Sequence, residues 1–308
     1  MNKVIVIFGP TASGKSSVAV EVAKALDGEI ISADSMQIYR GMNIGTAKIT
    51  NSEMNDVPHH LIDIVDPSEN YSVADFKSSA ETVIKDIFAR RKTPVICGGT
   101  GLYIDALVKN ISFETNNVDY TLRNELFQQH SEKGSAWMHD VLEKLDPDSA
   151  KVIHENNVKR VIRAIEVTTQ TGIPFSKQKN IAVSQPSKFD FLMFGLARNR
   201  ENLYARINER VEMMFEAGLE TEYLKLSEGV GNPSFTSTQA IGYKELDEYF
   251  AGRQTMQEAK EKIKMETRRY AKRQITWFKR YTEALWIDCD NLTTREISKQ
   301  ILNSITNV

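Results

Sequence analysis

Near the N-terminus the apolar positions run together as Val4-Ile5-Val6-Ile7-Phe8. Without the alternation of a half-solvated strand, the run predicts a strand buried on both faces. Val18, Ala19, Val22, Ala23 and Leu26 follow at spacings of three and four, which predicts a helix, and Gly28 is placed to end it in a left-handed cap. Glu29-Ile30-Ile31-Ser32-Ala33-Asp34 reads as a second strand that delivers a carboxylate to the edge of a sheet. From Ser72 to Arg91 an amphipathic helix carries Val73, Phe76, Ala80, Val83, Ile84 and Ile87 on one side. Thr93-Pro94-Val95-Ile96-Cys97 is another buried strand, and Gly98 to Ile104 turns from it into a helix.

The β-α rhythm stops at about Ile111, and the chain reads as helical as far as Pro186. Within this stretch Asp146-Pro147 resembles a cap with proline at the first helical position, and Asn157 to Thr171 ends in Gly172 as a helix does. Phe189 to Ala197 resumes the strands, and the helix containing Arg206 and Arg210 closes at Gly218. Gly231 to Ser237 reads as loop, and the tail from Asp290 carries no clear pattern. The expected fold is α/β: a P-loop NTPase-like parallel sheet flanked by helices. Residues 1-111 and 187-308 would form the core, its C-terminal part mainly helical, and 112-186 a helical insertion domain.

At 308 residues the chain exceeds what one core usually takes, in keeping with two lobes. A 41% apolar content fills a core, and a formal charge of −2 gives no global signal for nucleic acid, so such a partner would be met by local basic patches. Cys97 and Cys289 are far apart, which argues against a disulfide framework or a cysteine-rich zinc site and favours a reducing compartment. No apolar run reaches membrane-spanning length, so a cytoplasmic location and no membrane partner are expected. A monomer is expected as well.

Residues Gly9-Pro10-Thr11-Ala12-Ser13-Gly14-Lys15-Ser16 match G-x-x-x-x-G-K-[ST] between a strand and a helix, the setting that pattern requires. Successive N–H groups and the positive helix end cradle an anion, Lys15 adds a charge, and the Ser16 hydroxyl can hold Mg²⁺. Asp34 reads equally as a helix cap or outer magnesium ligand and as a catalytic carboxylate. The stretch from Ser35 to Lys48 is dense in polar side chains that suit either substrate reading or a surface loop. His59 and His60 point in different directions and have no cysteine nearby, so hydrogen bonding or loop packing is expected of them rather than metal binding. Gly98, Gly99 and Gly101 allow close approach to a ligand or simply make a tight turn.

Basic residues gather in three places. Lys159, Arg160 and Arg163 project opposite Val158, Val161, Ile162 and Ile165, as a solvated helix face also does. Arg206 and Arg210 share a helix face, where arginines can complete a charge clamp on phosphate. Between Lys264 and Arg280, Arg268, Arg269, Lys272, Arg273 and Lys279 stand against Glu266 alone, a face able to track a polyanion.

Five separated segments, Gly9 to Ser16, Asp34 to Arg40 with Gly45-Thr46-Ala47-Lys48, Gly98 to Ile104, Lys159 to Arg163, and Ala240-Ile241-Gly242-Tyr243, resemble the signatures of the tRNA dimethylallyltransferases (tRNA isopentenyltransferases). The phosphate loop alone is shared with kinases and GTPases, but Asp-Ser-x-x-Ile-Tyr-x-Gly-Met is far more restrictive. The resemblance implies that Gly9 to Ser16 and Arg210 hold the diphosphate of dimethylallyl diphosphate as a leaving group, with Mg²⁺ at Ser16. It implies that Asp34 is the base for the N6 amine of the adenine immediately 3′ to the anticodon, that Ser35 and Gln37 read the adenine, and that Thr100 contacts the tRNA near it. Contacts to tRNA would further involve Met36, Arg123, Lys159, Arg160, Val161, Ile162, Arg163 and Gln239 to Lys244, with Gln239, Ala240, Ile241, Gly242, Tyr243 and Lys244 acting as one segment.

Ser16 stands where many members carry threonine, which keeps the hydroxyl. The zinc-finger extension of eukaryotic members has no counterpart here, so the bacterial type is implied. A small-molecule or nucleotide kinase using the same loop is the main alternative. A nucleotide-dependent RNA-binding protein and a prenyltransferase acting on free adenine nucleotides are further ones.

Overall fold

Strand β1, Lys3–Phe8, sends its side chains alternately into two apolar clusters, as a strand covered on both faces must. Ile5 and Ile7 pack with one cluster, and Val4, Val6 and Phe8 with the other. The computed structural model describes residues 3–112, 120–177, 186–229 and 236–306. They fall into two compact units, Met1–Val108 with Lys188–Val308, and Lys109–Ser187.

In the first unit β1 is followed by α1 (Lys15–Ala25), β2 (Gly28–Ser32), α2 (Asn51–Met54), β3 (His59–His60), α3 (Val73–Ala89), β4 (Thr93–Gly98) and α4 (Gly101–Val108). The described strands make one parallel sheet in the order β3-β2-β4-β1-β5-β6, where β5 is Asp190–Ala197 and β6 is Leu285–Asp288. Phe8 pairs with Gly98 and Gly195, and Ser32 with Cys97. The residues after β1, β2, β4 and β5 therefore leave the same carboxyl edge side by side, where open α/β sheets bind ligands.

The other unit contains α5 (Tyr120–Leu145), broken at Gly134, then α6 (Pro147–Val152) and α7 (Val158–Thr171). Asp146 caps α6 by accepting the Ser149 N–H, with Pro147 at the helix start. Gly172, at φ 68°, ends α7 in the left-handed conformation. Its core includes Leu126, Met138, Leu142, Ile153, Val161, Ile162 and Ile165.

Beyond β5, the first unit continues through α8 (Arg200–Glu216), α9 (Leu219–Gly229), α10 (Leu246–Phe250) and α11 (Met256–Phe278) to β6 and α12 (Thr294–Thr306). The expected loop at Gly231 to Ser237 lies largely outside the described residues. Two features depart from the sequence reading. Helix α1 ends at Ala25, and the left-handed residue is Asp27 at φ 46°, so Gly28 does not cap it. Gly28 instead opens β2, where a Cβ would lie 2.6 Å from the Thr93 carbonyl oxygen. The tail from Asp290 forms α12 over Thr294–Thr306: Ile297 and Ile301 join the cluster beneath α1, and Thr293 and Glu296 cap the helix reciprocally.

Candidate functional site

The loop after β1 is shaped by its backbone. Ala12, at φ 63°, and Gly14, at φ 98°, adopt left-handed conformations. Because Gly14 is the N-cap of α1, no side chain caps that helix, and the first-turn N–H groups are free to meet an anion. Cations hold the loop's carbonyls from outside. Lys15 Nζ donates to the Pro10 carbonyl (2.7 Å), Arg206 Nε to Ala12 (2.9 Å) and Arg198 Nε to Ser13 (3.1 Å). Arg210 Nη1 donates to Thr11 Oγ1 at 3.4 Å. The Ser13 hydroxyl is buried and takes no partner among the described residues, as suits a group that would donate to a bound anion.

Burial, followed by the neighbouring Arg210, pushes the Lys15 ammonium down to about 8, while Cys97 and Asp34 act the other way. Burial also lowers Arg210 and raises the Cys97 thiol to about 11, so Cys97 stays protonated.

Asp34 follows β2 and resolves into two halves. Its Oδ1 accepts the N–H groups of Met36 (2.9 Å) and Gln37 (3.3 Å), and so caps its own turn. Its Oδ2 has no partner among the described residues. The cap and the chemistry are thus compatible in one side chain. Thr100 stands beside it: Thr100 Oγ1 accepts the Ser35 N–H (3.0 Å), and the Thr100 N–H reaches the Ala33 carbonyl (3.1 Å). The glycines before and after Thr100 answer to protein neighbours, since a Cβ on Gly98, Gly99 or Gly101 would overlap Ala33, Gln274 or Trp277.

Around this centre the Gln37 amide is oriented by donating Nε2 to the carbonyls of Thr46 (3.2 Å) and Ala47 (3.3 Å). The turn at 43–45 is tied down by Glu222, whose carboxylate accepts the N–H groups of Asn43, Ile44 and Gly45 and the Tyr243 hydroxyl. Met36 packs on the cluster that also holds Ala240 and Tyr243, and Ile241 lies at its margin. Gly242, at φ 103°, donates its N–H to Glu245 (2.8 Å), while Gln239 and Lys244 are exposed.

In the helical unit, Lys159 and Arg160 are exposed on α7, but Val161 and Ile162 are in its core, so their side chains serve the helix and not its surface. Arg123 and Arg163 converge on the fully buried Glu166, at 2.8 Å and 3.1 Å. On α11, Lys264 is paired with Glu212 of α8, Arg268 donates to Asn208 and the exposed Arg269 is paired with Glu266, while Lys272 and Arg273, and Lys279 just past the helix, are exposed as well. The histidines have structural partners: His59 Nδ1 meets the Val57 carbonyl at 2.8 Å, and His60 Nε2 the buried Glu29 at 2.7 Å. Sequence reasoning missed Gln274 and Glu222. Gln274 had left a signal, a polar residue on the apolar side of α11 in step with Ala271 and Phe278.

A parallel sheet whose first strand feeds an uncapped helix start, ringed by arginines and flanked by a half-engaged carboxylate, defines a P-loop-type α/β enzyme that grips a phosphate-bearing ligand. The family model described as IPP transferase matches residues 37–281, and the chain belongs to that family of transferases. It is 47% identical over 296 residues to a tRNA dimethylallyltransferase of Acetivibrio thermocellus, covering 96% of this chain and 95% of that one. It is also 47% identical over 304 residues to one of Bacillus cytotoxicus, covering 97% and 94%. Among solved structures, the full-length tRNA isopentenylpyrophosphate transferase of Bacillus halodurans superposes with a TM-score of 0.74 at 44% identity, covering 100% and 96% of the two chains. A eukaryotic dimethylallyltransferase captured acting on tRNA gives 0.83 at 31% identity, covering 99% of this chain and 78% of that one. The kinase alternative finds no support among these relatives. Among the described residues no helix is long and apolar enough to cross a membrane.

Proposed function

We propose that the protein transfers the dimethylallyl group of dimethylallyl diphosphate to the N6 amine of the adenine immediately 3′ to the anticodon of tRNA, releasing diphosphate. The reading rests on the family and on one observation: the anion-binding loop and Asp34 leave the same sheet edge, close enough for Asp34 to raise the Lys15 pKa.

The loop receives the leaving group. As the allylic C–O bond breaks, negative charge gathers on the departing diphosphate, and the helix-start N–H groups, Lys15, the Ser13 hydroxyl and Arg210 stabilise it. The N6 lone pair is delocalised into the adenine ring, so the amine attacks poorly unless its proton is taken. Asp34 Oδ2 accepts that proton as the N–C bond forms, while Oδ1 stays on its backbone donors. With its amide nitrogen engaged by Thr46 and Ala47, Gln37 presents its carbonyl oxygen to the base edge. Thr100 and Ser35 support the adenine beside it.

The Ser16 hydroxyl, exposed in the first turn of α1, fits a magnesium ion that arrives with the diphosphate. Among the described residues no group of three or more His, Cys, Asp and Glu forms a metal site of its own. When bound, the ion neutralises charge on the leaving group.

To present its amine, the adenine leaves the anticodon-loop stack, as substrates of base-modifying enzymes do. Lys159 and Arg160 of the helical unit, with Arg123 and Arg163 behind them, supply backbone contacts. In the core unit Gln239 to Lys244 and the exposed cations of α11 do the same. A monomer in the cytoplasm suits this task. Incubation with dimethylallyl diphosphate, Mg²⁺ and unmodified tRNA should yield N6-dimethylallyladenosine. Hydrolysis of ATP or transfer of its phosphate, with no prenylated tRNA, would overturn the reading.

A further inference from the structure

Gln274 lies on α11 beside the exposed Arg273, yet it is only 5% exposed itself. Its Oε1 accepts the N–H of Thr11 at 2.8 Å, and its Nε2 donates to the carbonyl of Gly99 at 2.9 Å. One amide thus joins the phosphate loop after β1 to the loop after β4. The fit is close, because a Cβ on Gly99 would overlap the Gln274 amide nitrogen. The β4 loop is joined in turn to the acceptor side, with the Thr100 N–H on Ala33 and Thr100 Oγ1 under the Ser35 N–H. Tyr270, one turn earlier on α11, packs its hydroxyl among the Thr100 and Gln274 side chains.

The path Thr11, Gln274, Gly99, Thr100, Ser35 therefore runs from the diphosphate loop to the residue next to Asp34 with hydrogen bonds at each gap. A glutamine used at both ends is specific to this geometry. An apolar residue would strand a buried N–H and a buried carbonyl, and a carboxylate would oppose the Gly99 carbonyl.

We infer that Gln274 is a positioning residue for the transfer: it fixes the diphosphate loop relative to Asp34, so that the allylic carbon and the adenine amine meet in line. The inference rests on the roles given above to the loop and to Asp34. Its kinetic sign differs from that of a ligand-binding residue. Both polar ends of the Gln274 amide are taken up by Thr11 and Gly99, so its loss should leave both affinities nearly intact and slow the bond-making step, which misplacement by about an ångström can reduce by ~10²-fold.

The test is single-turnover transfer to unmodified tRNA by full-length wild type, Gln274→Glu and Gln274→Met between pH 6 and 9. In Gln274→Glu the ionised side chain still accepts from Thr11 but cannot donate to Gly99, and protonation restores the donor. Burial raises a glutamate's pKa toward this range. The expected result is a saturated rate lowered ~10- to 100-fold at pH 8, with the KM for dimethylallyl diphosphate and for tRNA within about threefold of wild type. The ratio of Gln274→Glu to wild-type rates should climb as pH falls, while the same ratio for Gln274→Met stays low and flat. A flat ratio for Gln274→Glu, a wild-type rate in Gln274→Met, or a defect confined to the KM for the diphosphate overturns the inference. So does melting of both variants well below the assay temperature, which would make the glutamine a general structural element. A wild-type control that forms no prenylated tRNA overturns the functional reading and this inference with it. An active wild type with a flat ratio overturns the inference alone.

Discussion

The Tyr243 hydroxyl donates to the Glu222 carboxylate at 2.7 Å, and the same carboxylate accepts the N–H groups of the turn at 43–45. Through this one acid, the segment around Gly242 is joined to the turn whose later carbonyls orient Gln37. The Tyr243 ring also covers Gly45 so closely that a Cβ there would lie 2.5 Å from it. Glu222→Ala should strand those backbone donors and cost about 1–3 kcal/mol of stability. It should also raise the KM for tRNA while leaving that for dimethylallyl diphosphate unchanged. Thermal melting and steady-state kinetics with each substrate varied would check both, and an equal rise in the two KM values would refute the link.

Asp34→Asn separates the two oxygens of that side chain. The amide oxygen can still cap the turn at Met36 and Gln37, so the melting temperature should stay near wild type. The single-turnover rate should fall by ~10²-fold or more through loss of the base. Asp34→Ala should lose the rate and, in addition, about 1 kcal/mol of stability with the cap. A wild-type rate in the asparagine variant would remove Asp34 from catalysis.

Lys15 gives a pH dependence of known sign. Its pKa is depressed to about 8 from an ordinary 10.5, first by burial and then by Arg210. Between those two values the unfolded chain binds more protons than the folded one, so the stability of the ligand-free protein rises with pH across that window. Below pH 8 the cost of the buried charge is present in full. Lys15→Met should therefore raise the melting temperature at pH 7, a gain that shrinks from pH 8 upward, and should weaken diphosphate binding strongly. In wild type, affinity for inorganic diphosphate should decline as pH passes 8 and the ammonium is lost. Calorimetric melting and titration would show whether the signs are reversed.

Lys159→Ala with Arg160→Ala removes exposed charge from α7 without touching its core. The slope of log affinity for tRNA against log salt should flatten by about 1 to 2, with melting and diphosphate affinity unchanged. Arg163→Ala is a different experiment. It leaves the buried Glu166 with less compensation, so it should destabilise the helical unit as well. An unaltered salt slope in the double variant would make the face merely solvated.

Much of this arrangement was readable before any coordinates. The continuous apolar run of β1, the spacing of α3, and Asp146 and Gly172 at helix ends are local signals, and local physics decided them. The errors arose where distant residues decide. Gly28 looks like a cap from its neighbours in sequence, but it is demanded by the carbonyl of Thr93, on the strand that pairs with β2. Of the two readings left open for the glycines flanking Thr100, the sequence could not show that a Cβ there would meet Ala33, Gln274 or Trp277. The pairing of Lys264, at the start of the basic run on α11, was hidden because Glu212 lies on another helix. The residues that hold motifs to one another are scattered, and the trace they leave in sequence is as faint as one polar residue, Gln274, in step with Ala271 and Phe278.

Strand order has a consequence for how this centre can be altered. With β4 lying between β1 and β2, the phosphate loop and Asp34 are two strand steps apart, roughly 10 Å. Backbone pairing sets that interval as a fixed ruler. Side-chain exchange can change what each end grips but not how far apart the ends stand, so new prenyl donors or acceptors would have to be accommodated by reshaping the loops while the sheet stays the same.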